Sequence, residues 1–236
     1  MISNVVGSGM LAKAFQNSES RGCIFFCSGV SNSTESNPDE FEREVALFKK
    51  NLQYDHSNCL VYFSSVLAPT KKNKYYEHKN RMEQLVKTLS HEYLILRLPQ
   101  VAGNVLNNTL LPSFIKKIYF EEKFEVYSNA PRSLIDVDDV VKIFDKIYKN
   151  NVRNKTINLC PGYAFQPVEL TEIIGELLGK TPNIAIVEKD SIQLCEQDSA
   201  IIFDYQSLLG DLNTYLERVA DKYTKSIVEK IECGTK

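Results

Sequence analysis

The sequence predicts an α/β fold built on a parallel sheet, and three observations carry that prediction. Through the first half of the chain, apolar runs of strand length alternate with amphipathic runs of helix length. The strand runs, such as "CIFF" and "CLVYF", are apolar at every position rather than at every second one. Each is followed by glycine-rich or polar residues. Strands that are apolar throughout are those buried on both faces, the condition of parallel strands joined by crossover helices.

In order along the chain, residues 2–6, "ISNVV", read as a short buried strand running into Gly7-Ser8-Gly9 and the helix "MLAKAF". "GCIFFCSG" is a second strand. After the polar loop "SNSTESN", "PDEFEREVALFKKNLQ" is a helix with Phe41, Val45, Phe48 and Leu52 on one side and Pro38 or Asp39 near its start. "CLVYF", the helix from Lys74 and "YLILRL" complete the alternating half. Then come the strand "FEVYS", the helix "DDVVKIFDKIYKN", the strand "KTINLC", the helix "VELTEIIGELLGK", weaker strands at "IAIVE" and "AIIFD", and a C-terminal helix over about 211–231. Asp136, Asp138 and Asp139 fit helix capping and the helix dipole rather than a cation site.

Composition narrows the function. A chain of 236 residues with 43% apolar content can bury roughly 70–75% of its extended surface, enough for one domain with a smaller lobe. A net charge of −2 gives no general attraction to nucleic acid. No apolar run approaches the ~18 residues of a membrane span, and no basic segment precedes an apolar core at the N-terminus, so a cytoplasmic protein without a membrane partner is expected. The six cysteines, at 23, 27, 59, 160, 195 and 233, lack Cys-x-x-Cys spacing and read as buried free thiols. The three histidines form no ligand-like cluster, so no metal is expected.

In open parallel sheets ligands bind beyond the carboxyl ends of the strands. There the sequence places Gly7 and Gly9, then Ser28-Gly29, then Ser64-Ser65, then "PQVAGN". "GSGMLA" is G-x-G-x-x-A between a strand and a helix, a turn that lets backbone approach a pyrophosphate at a helix N-terminus, although an ordinary glycine turn has the same spelling. No acid follows at the position that would bind a ribose. Arg21 reads as a surface arginine, which leaves NAD and NADP undistinguished.

The stretch "KYYEHK" opens a helix whose apolar residues are Met82, Leu85, Val86 and Leu89. On a wheel of roughly 100° per residue, Tyr75 and Lys79 fall on the stripe with Met82, Val86 and Leu89, while Tyr76 shares the opposite, solvated side with Glu83 and Lys87. An inward lysine needs a pocket, or must snorkel its head into water from the first turn. The helix alone leaves both open.

Taken together, "NVVGSGMLAKAF", "VYFSS", "YYEHK", "LRLPQVAG" and "RSLIDVDDVV" resemble, in order and context, the extended short-chain dehydrogenase/reductase superfamily in its sugar-nucleotide branch of epimerases, dehydratases and 4-keto reductases. The resemblance runs from about residue 2 to 180. It implies a Rossmann-like nucleotide-binding domain over 1–103 and about 133–160, and a smaller substrate-binding lobe over about 104–132 and 161–236. By that resemblance Tyr75 is the acid/base, Lys79 holds the nicotinamide ribose and favours tyrosinate, and Ser65 hydrogen-bonds the substrate oxygen. Gly7, Ser8, Gly9, Met10, Leu11, Ser28, Gly29 and Pro99 line the cofactor, and Asn104 and Arg132 meet the substrate. The cofactor is NADP or NAD, with NADPH preferred, the substrate a nucleotide-linked sugar, and the assembly a homodimer.

Two departures stand out. Between the first helix and "CIFFCSG" there is no room for two strands that normally complete the adenosine half, so a trimmed sheet of about five strands is expected, with "ISNVV" at or next to its edge. Ser65 to Tyr75 is also a short interval. Val66 and Leu67 follow Ser65 where a dehydratase would carry acids, and a clipped adenosine site is a poor means of retaining a cofactor through epimerisation. Reduction of a nucleotide-linked 4-keto sugar in surface polysaccharide or deoxysugar biosynthesis ranks first, 4-epimerisation second, and a non-catalytic NAD(P)-binding protein stands as the alternative of another class.

Overall fold

The computed structural model describes residues 4–52, 58–188, 195 and 206–234. The chain divides into two compact units, the first formed by the described residues of 1–99 and 137–159, the second by those of 100–136, 160–196 and 206–236.

In the first unit β1 (Asn4–Val6), β2 (Cys23–Phe26), β3 (Cys59–Ser65), β4 (Tyr93–Leu98) and β8 (Lys155–Asn158) form one parallel sheet in the order β1-β2-β3-β4-β8. β1 is the edge strand, as the missing interval requires. Helices α1 (Met10–Phe15) and α5 (Val137–Lys149) pack together, as do α2 (Pro38–Leu52) and α3 (Lys74–Leu89).

Strand parity decides what each layer receives. Phe25 and Phe63 form a ring cluster with Phe15 of α1 and Phe144 of α5, with centroids 4.7–5.5 Å apart. The alternate residues Ile24, Phe26, Leu60, Tyr62 and Ile95 join Val45, Phe48 and Leu52 of α2 and Met82 and Val86 of α3. Both faces are buried, which is why β2 carries no polar position. The same parity turns Tyr62, Ser64 and Arg97 toward α3.

The short connection from α1 to β2 is held by one carboxylate. Asp145 of α5 accepts hydrogen bonds from Ser18 Oγ (2.7 Å), Glu19 N–H (3.0 Å), Ser20 N–H (3.2 Å) and Ser20 Oγ (2.5 Å). These satisfy a buried turn that has no neighbouring strand to pair with.

In the second unit, α4 (Leu110–Tyr119), α6 (Pro167–Leu178) and α7 (Tyr215–Gly234) pack on one another. Two parallel strand pairs accompany them, β5 (Gln100–Ala102) with β7 (Leu134–Asp136) and β6 (Phe124–Tyr127) with β9 (Ile184–Val187). "IAIVE" is thus a strand; "AIIFD" lies outside the described residues. The C-terminal helix begins at Tyr215 rather than near 211, because Asp211 accepts the Asn213 N–H (2.9 Å) and starts a separate 3-10 turn, Leu212–Thr214. The Asp136 carboxylate takes Tyr223 OH (2.7 Å) and Lys222 Nζ (2.6 Å) from α7.

The expectation of six free thiols is corrected. Cys160 and Cys195 are joined in a disulfide within the second unit. A pairing across 35 residues leaves no local spacing to read. Cys23 and Cys59 are free and buried, and burial pushes their thiols up to about 11 and about 12. Among the described residues no helix is long and apolar enough to cross a membrane.

Candidate functional site

Because the strands of the first sheet are parallel and in close register, the residues after β1 to β4 come to one edge. Gly7, Ser28, Gly29, Ser65 and Pro99 all lie there. Gly7 has φ +129° and a Cβ on it would sit 2.8 Å from the Cys27 carbonyl oxygen, so only glycine fits. Gly9 is different: a Cβ there meets nothing within 4 Å. It is the N-cap of α1 and supplies no side-chain cap, so α1 opens toward that space with its first-turn N–H groups. Ser8 is exposed, and Met10 and Leu11 are half-buried.

The α3 phase is set by Asn73, whose side chain accepts the Tyr76 N–H (2.9 Å). Tyr75, Lys79, Met82 and Val86 are all buried, as the wheel predicts, and Lys79 is only 3% exposed. It does not snorkel. Its Nζ donates to Tyr62 OH (3.1 Å) and lies 3.6 Å from Glu44 Oε1. The Tyr75 ring centroid is 5.7 Å from the same nitrogen. Tyr75 itself packs against Val30 and Phe41.

Glu44, on α2, was not foreseen as a site residue. It is fully buried and takes Tyr62 OH (2.8 Å), Val30 N–H (2.6 Å) and His78 Nε2 (3.0 Å). Burial raises its pKa, but Lys79, His78 and the Val30 N–H outweigh that and hold the carboxyl at about 2. For Lys79, burial lowers the pKa and Glu44 opposes it. Burial drives the Tyr75 phenol well above its usual range, with Tyr76 and Glu44 adding to the effect. Tyr62 is raised for the same reason, with Glu44 second.

Three wheel assignments are corrected. Tyr76 is half-buried and packs against Val30, Phe41 and Tyr75. Glu83 is not on a solvated face: it is 1% exposed, with Arg97 Nε and Nη2 at 2.8 and 2.6 Å and Ser64 Oγ at 2.6 Å. An arginine inside an otherwise apolar strand demands such a partner. Leu89 is 43% exposed, because the inward stripe turns off the sheet at the last turn of α3. Ser64 is committed to Glu83, whereas Ser65, at the strand end, only accepts the Leu67 N–H (3.2 Å).

The chain can now be set beside known proteins. The model of the NAD dependent epimerase/dehydratase family matches residues 62–160. No curated protein sequence matches the chain. Among solved structures it is similar to a dTDP-glucose 4,6-dehydratase from Bacillus anthracis in complex with NAD (13% identity, 90% of this chain and 74% of that one, TM-score 0.66). It is similar to a UDP-glucose 4-epimerase from Bifidobacterium longum in complex with NAD+ and UDP (15%, 95% and 82%, TM-score 0.68). It is also similar to RMD from Pseudomonas aeruginosa complexed with NADPH (13%, 94% and 99%, TM-score 0.65). At these identities the likeness is one of fold.

The epimerase/dehydratase segment contains Ser65, Tyr75, Lys79 and Pro99, and also Asn104 and Arg132 of the second unit; the glycine turn and Glu44 precede it. Asn104 is exposed and its carbonyl takes Lys230 Nζ. Arg132 is 8% exposed and its Nη1 donates to the carbonyls of Ala130 (2.8 Å) and Pro131 (3.1 Å). Its guanidinium is engaged with its own turn.

Proposed function

We propose that the protein is an NAD(P)-dependent enzyme of nucleotide-linked sugars, and that it reduces a 4-keto sugar. The observation that supports this best is the buried Tyr75, three residues from a buried His78 and four from a buried Lys79, in the segment that matches the family. A phenol held above its usual range by burial keeps its proton at neutral pH. Carrying its proton, it can pass it to a carbonyl oxygen that is being reduced.

The glycine turn fits a dinucleotide at its pyrophosphate end. The open space over Gly9 and the uncapped start of α1 leave room and donors for a phosphate, with Ser8, Met10, Leu11, Ser28 and Gly29 nearby along the same edge. When bound, the nicotinamide supplies the hydride. NADPH is the proposed form. At the Lys79 end the fit is poor: the ammonium is enclosed and turned to Glu44. On this reading Ser65 steadies the substrate oxygen and Tyr75 donates its hydroxyl proton to it.

The enclosure of Lys79 favours one second reading, a nucleotide-binding protein without turnover. Titration with NADH and NADPH followed by a panel of nucleotide-linked 4-keto sugars separates the two. We place the enzyme in the cytoplasm, in surface polysaccharide or deoxysugar biosynthesis, as a homodimer joined through α2 and α3; sedimentation showing monomer alone at high concentration would remove the dimer.

A further inference from the structure

The residues around Lys79 form a closed polar set inside an apolar layer. Glu44 comes from α2, Tyr62 from β3, and His78 and Lys79 from α3; all four are buried, Tyr62 lies in the core cluster with Phe26, Phe48 and Met82, and the His78 ring stacks on Phe41. Glu44 lies between them, so that Tyr62 bridges carboxylate (2.8 Å) and ammonium (3.1 Å). The loop after β2 closes over the pair through Gly29, where a Cβ would stand 2.9 Å from both Glu44 Oε1 and Lys79 Nζ. Val30 N–H then fixes the second carboxylate oxygen (2.6 Å). Backbone, phenol and imidazole all converge on one acid.

We propose that Glu44 is a positioning residue for Lys79: its carboxylate, with the Tyr62 hydroxyl as bridge, holds the ammonium in the layer beneath Gly29 and thereby sets what Tyr75 and a bound nucleotide ribose can reach. The catalytic part of this inference rests on the proposed reductase function; the Glu44–Lys79 coupling does not. A lysine enclosed in this way, with its counter-ion removed, holds its proton less tightly, since only the more distant Glu83 and the faces of Tyr62 and Tyr75 remain to offset desolvation of the charge. The groups facing Lys79 are Glu44, Glu83, Tyr62, Tyr75 and His78. Glu83 is taken by Arg97, and the two phenols keep their protons. Glu44 alone is an anion in direct contact. Lys79 in turn is the cation on which any tuning of Tyr75 depends.

The test reads the lysine directly. Side-chain lysine resonances are titrated by NMR in the wild type and in Glu44→Gln, with Lys79 assigned by its loss in Lys79→Met. NADPH affinity is measured by fluorescence in the same proteins and in the double variant. Lys79 is expected to titrate at least about one pH unit lower in Glu44→Gln than in the wild type. NADPH affinity is expected to fall about tenfold in Glu44→Gln, and the double variant to bind no worse than Lys79→Met alone, as coupled residues do. An unchanged Lys79 titration, or losses in affinity that add independently, overturns the proposal. If Glu44→Gln does not fold, Glu44→Asp carries the measurement: the retracted carboxylate should lower the Lys79 titration in the same direction, and no shift overturns the proposal equally. Failure of the wild type to bind NADPH would remove the reductase reading while the titration still decides the role of Glu44.

Discussion

Tyr75 and Tyr76 are neighbours in sequence, with rings 5.0 Å apart, yet only Tyr75 shares the buried stripe of Lys79. Tyr75→Phe should lower turnover by roughly 10² to 10⁴, the usual worth of a general acid, with little change in nucleotide affinity. Tyr76→Phe should stay near wild type, and the reverse result would displace the site. Glu44 adds a pH signature. Its folded pKa of about 2 lies below its ordinary 4.5, so its contribution is fully present above pH 4.5 and lost as pH falls toward 2, a span worth roughly 3 kcal/mol. Urea unfolding of the wild type at pH 5 and pH 3 should show about 2 kcal/mol of that loss, and Glu44→Gln should show a flatter acid limb; parallel limbs would detach the carboxylate from the pair. At this scale the sequence was partly legible. The inward lysine was visible because its stripe is otherwise apolar. Its partner was not sought, although Glu44 sits three residues after Phe41 and four before Phe48 on the inward side of α2. Glu83 was misread because a single-stripe wheel assumes a narrow buried arc, whereas α3 buries a wider one, from His78 round to Glu83.

Helices and strands in the first unit follow the pattern of the sequence closely, because both faces of the sheet are covered and periodicity therefore changes cleanly from strand to helix. β5 and β7 carry no mark in the sequence, since three residues hold no periodicity. The glycine turn gives a prediction for this level. Gly9→Val should fold, because the added side chain meets open space, but it should weaken NADPH binding by filling the space a phosphate needs. Calorimetric melting and fluorescence titration read the two effects, and unchanged affinity in a folded variant would move the pyrophosphate elsewhere. The α1–β2 connection gives another. Asp145→Ala removes the carboxylate acceptor of the Ser18 and Ser20 hydroxyls and of the Glu19 N–H, at a cost of about 2–4 kcal/mol. A melting temperature within a degree of wild type would show that the turn does not need the carboxylate.

Among the described residues the five-stranded sheet ends at β1. That edge was legible from the interval between α1 and β2 alone. The Cys160–Cys195 bond was not, as residues brought together by α6 and β9 leave no trace in spacing. The central claim is that a buried proton donor and a glycine turn on one sheet edge serve hydride transfer to a nucleotide-linked 4-keto sugar. The most direct measurement is consumption of NADPH by purified protein across a panel of such sugars, with Tyr75→Phe in parallel. The account predicts substrate-dependent consumption in the wild type that Tyr75→Phe reduces by roughly 10² or more. Tight NADPH binding with no consumption on any member of the panel, or equal consumption by the variant, would contradict it.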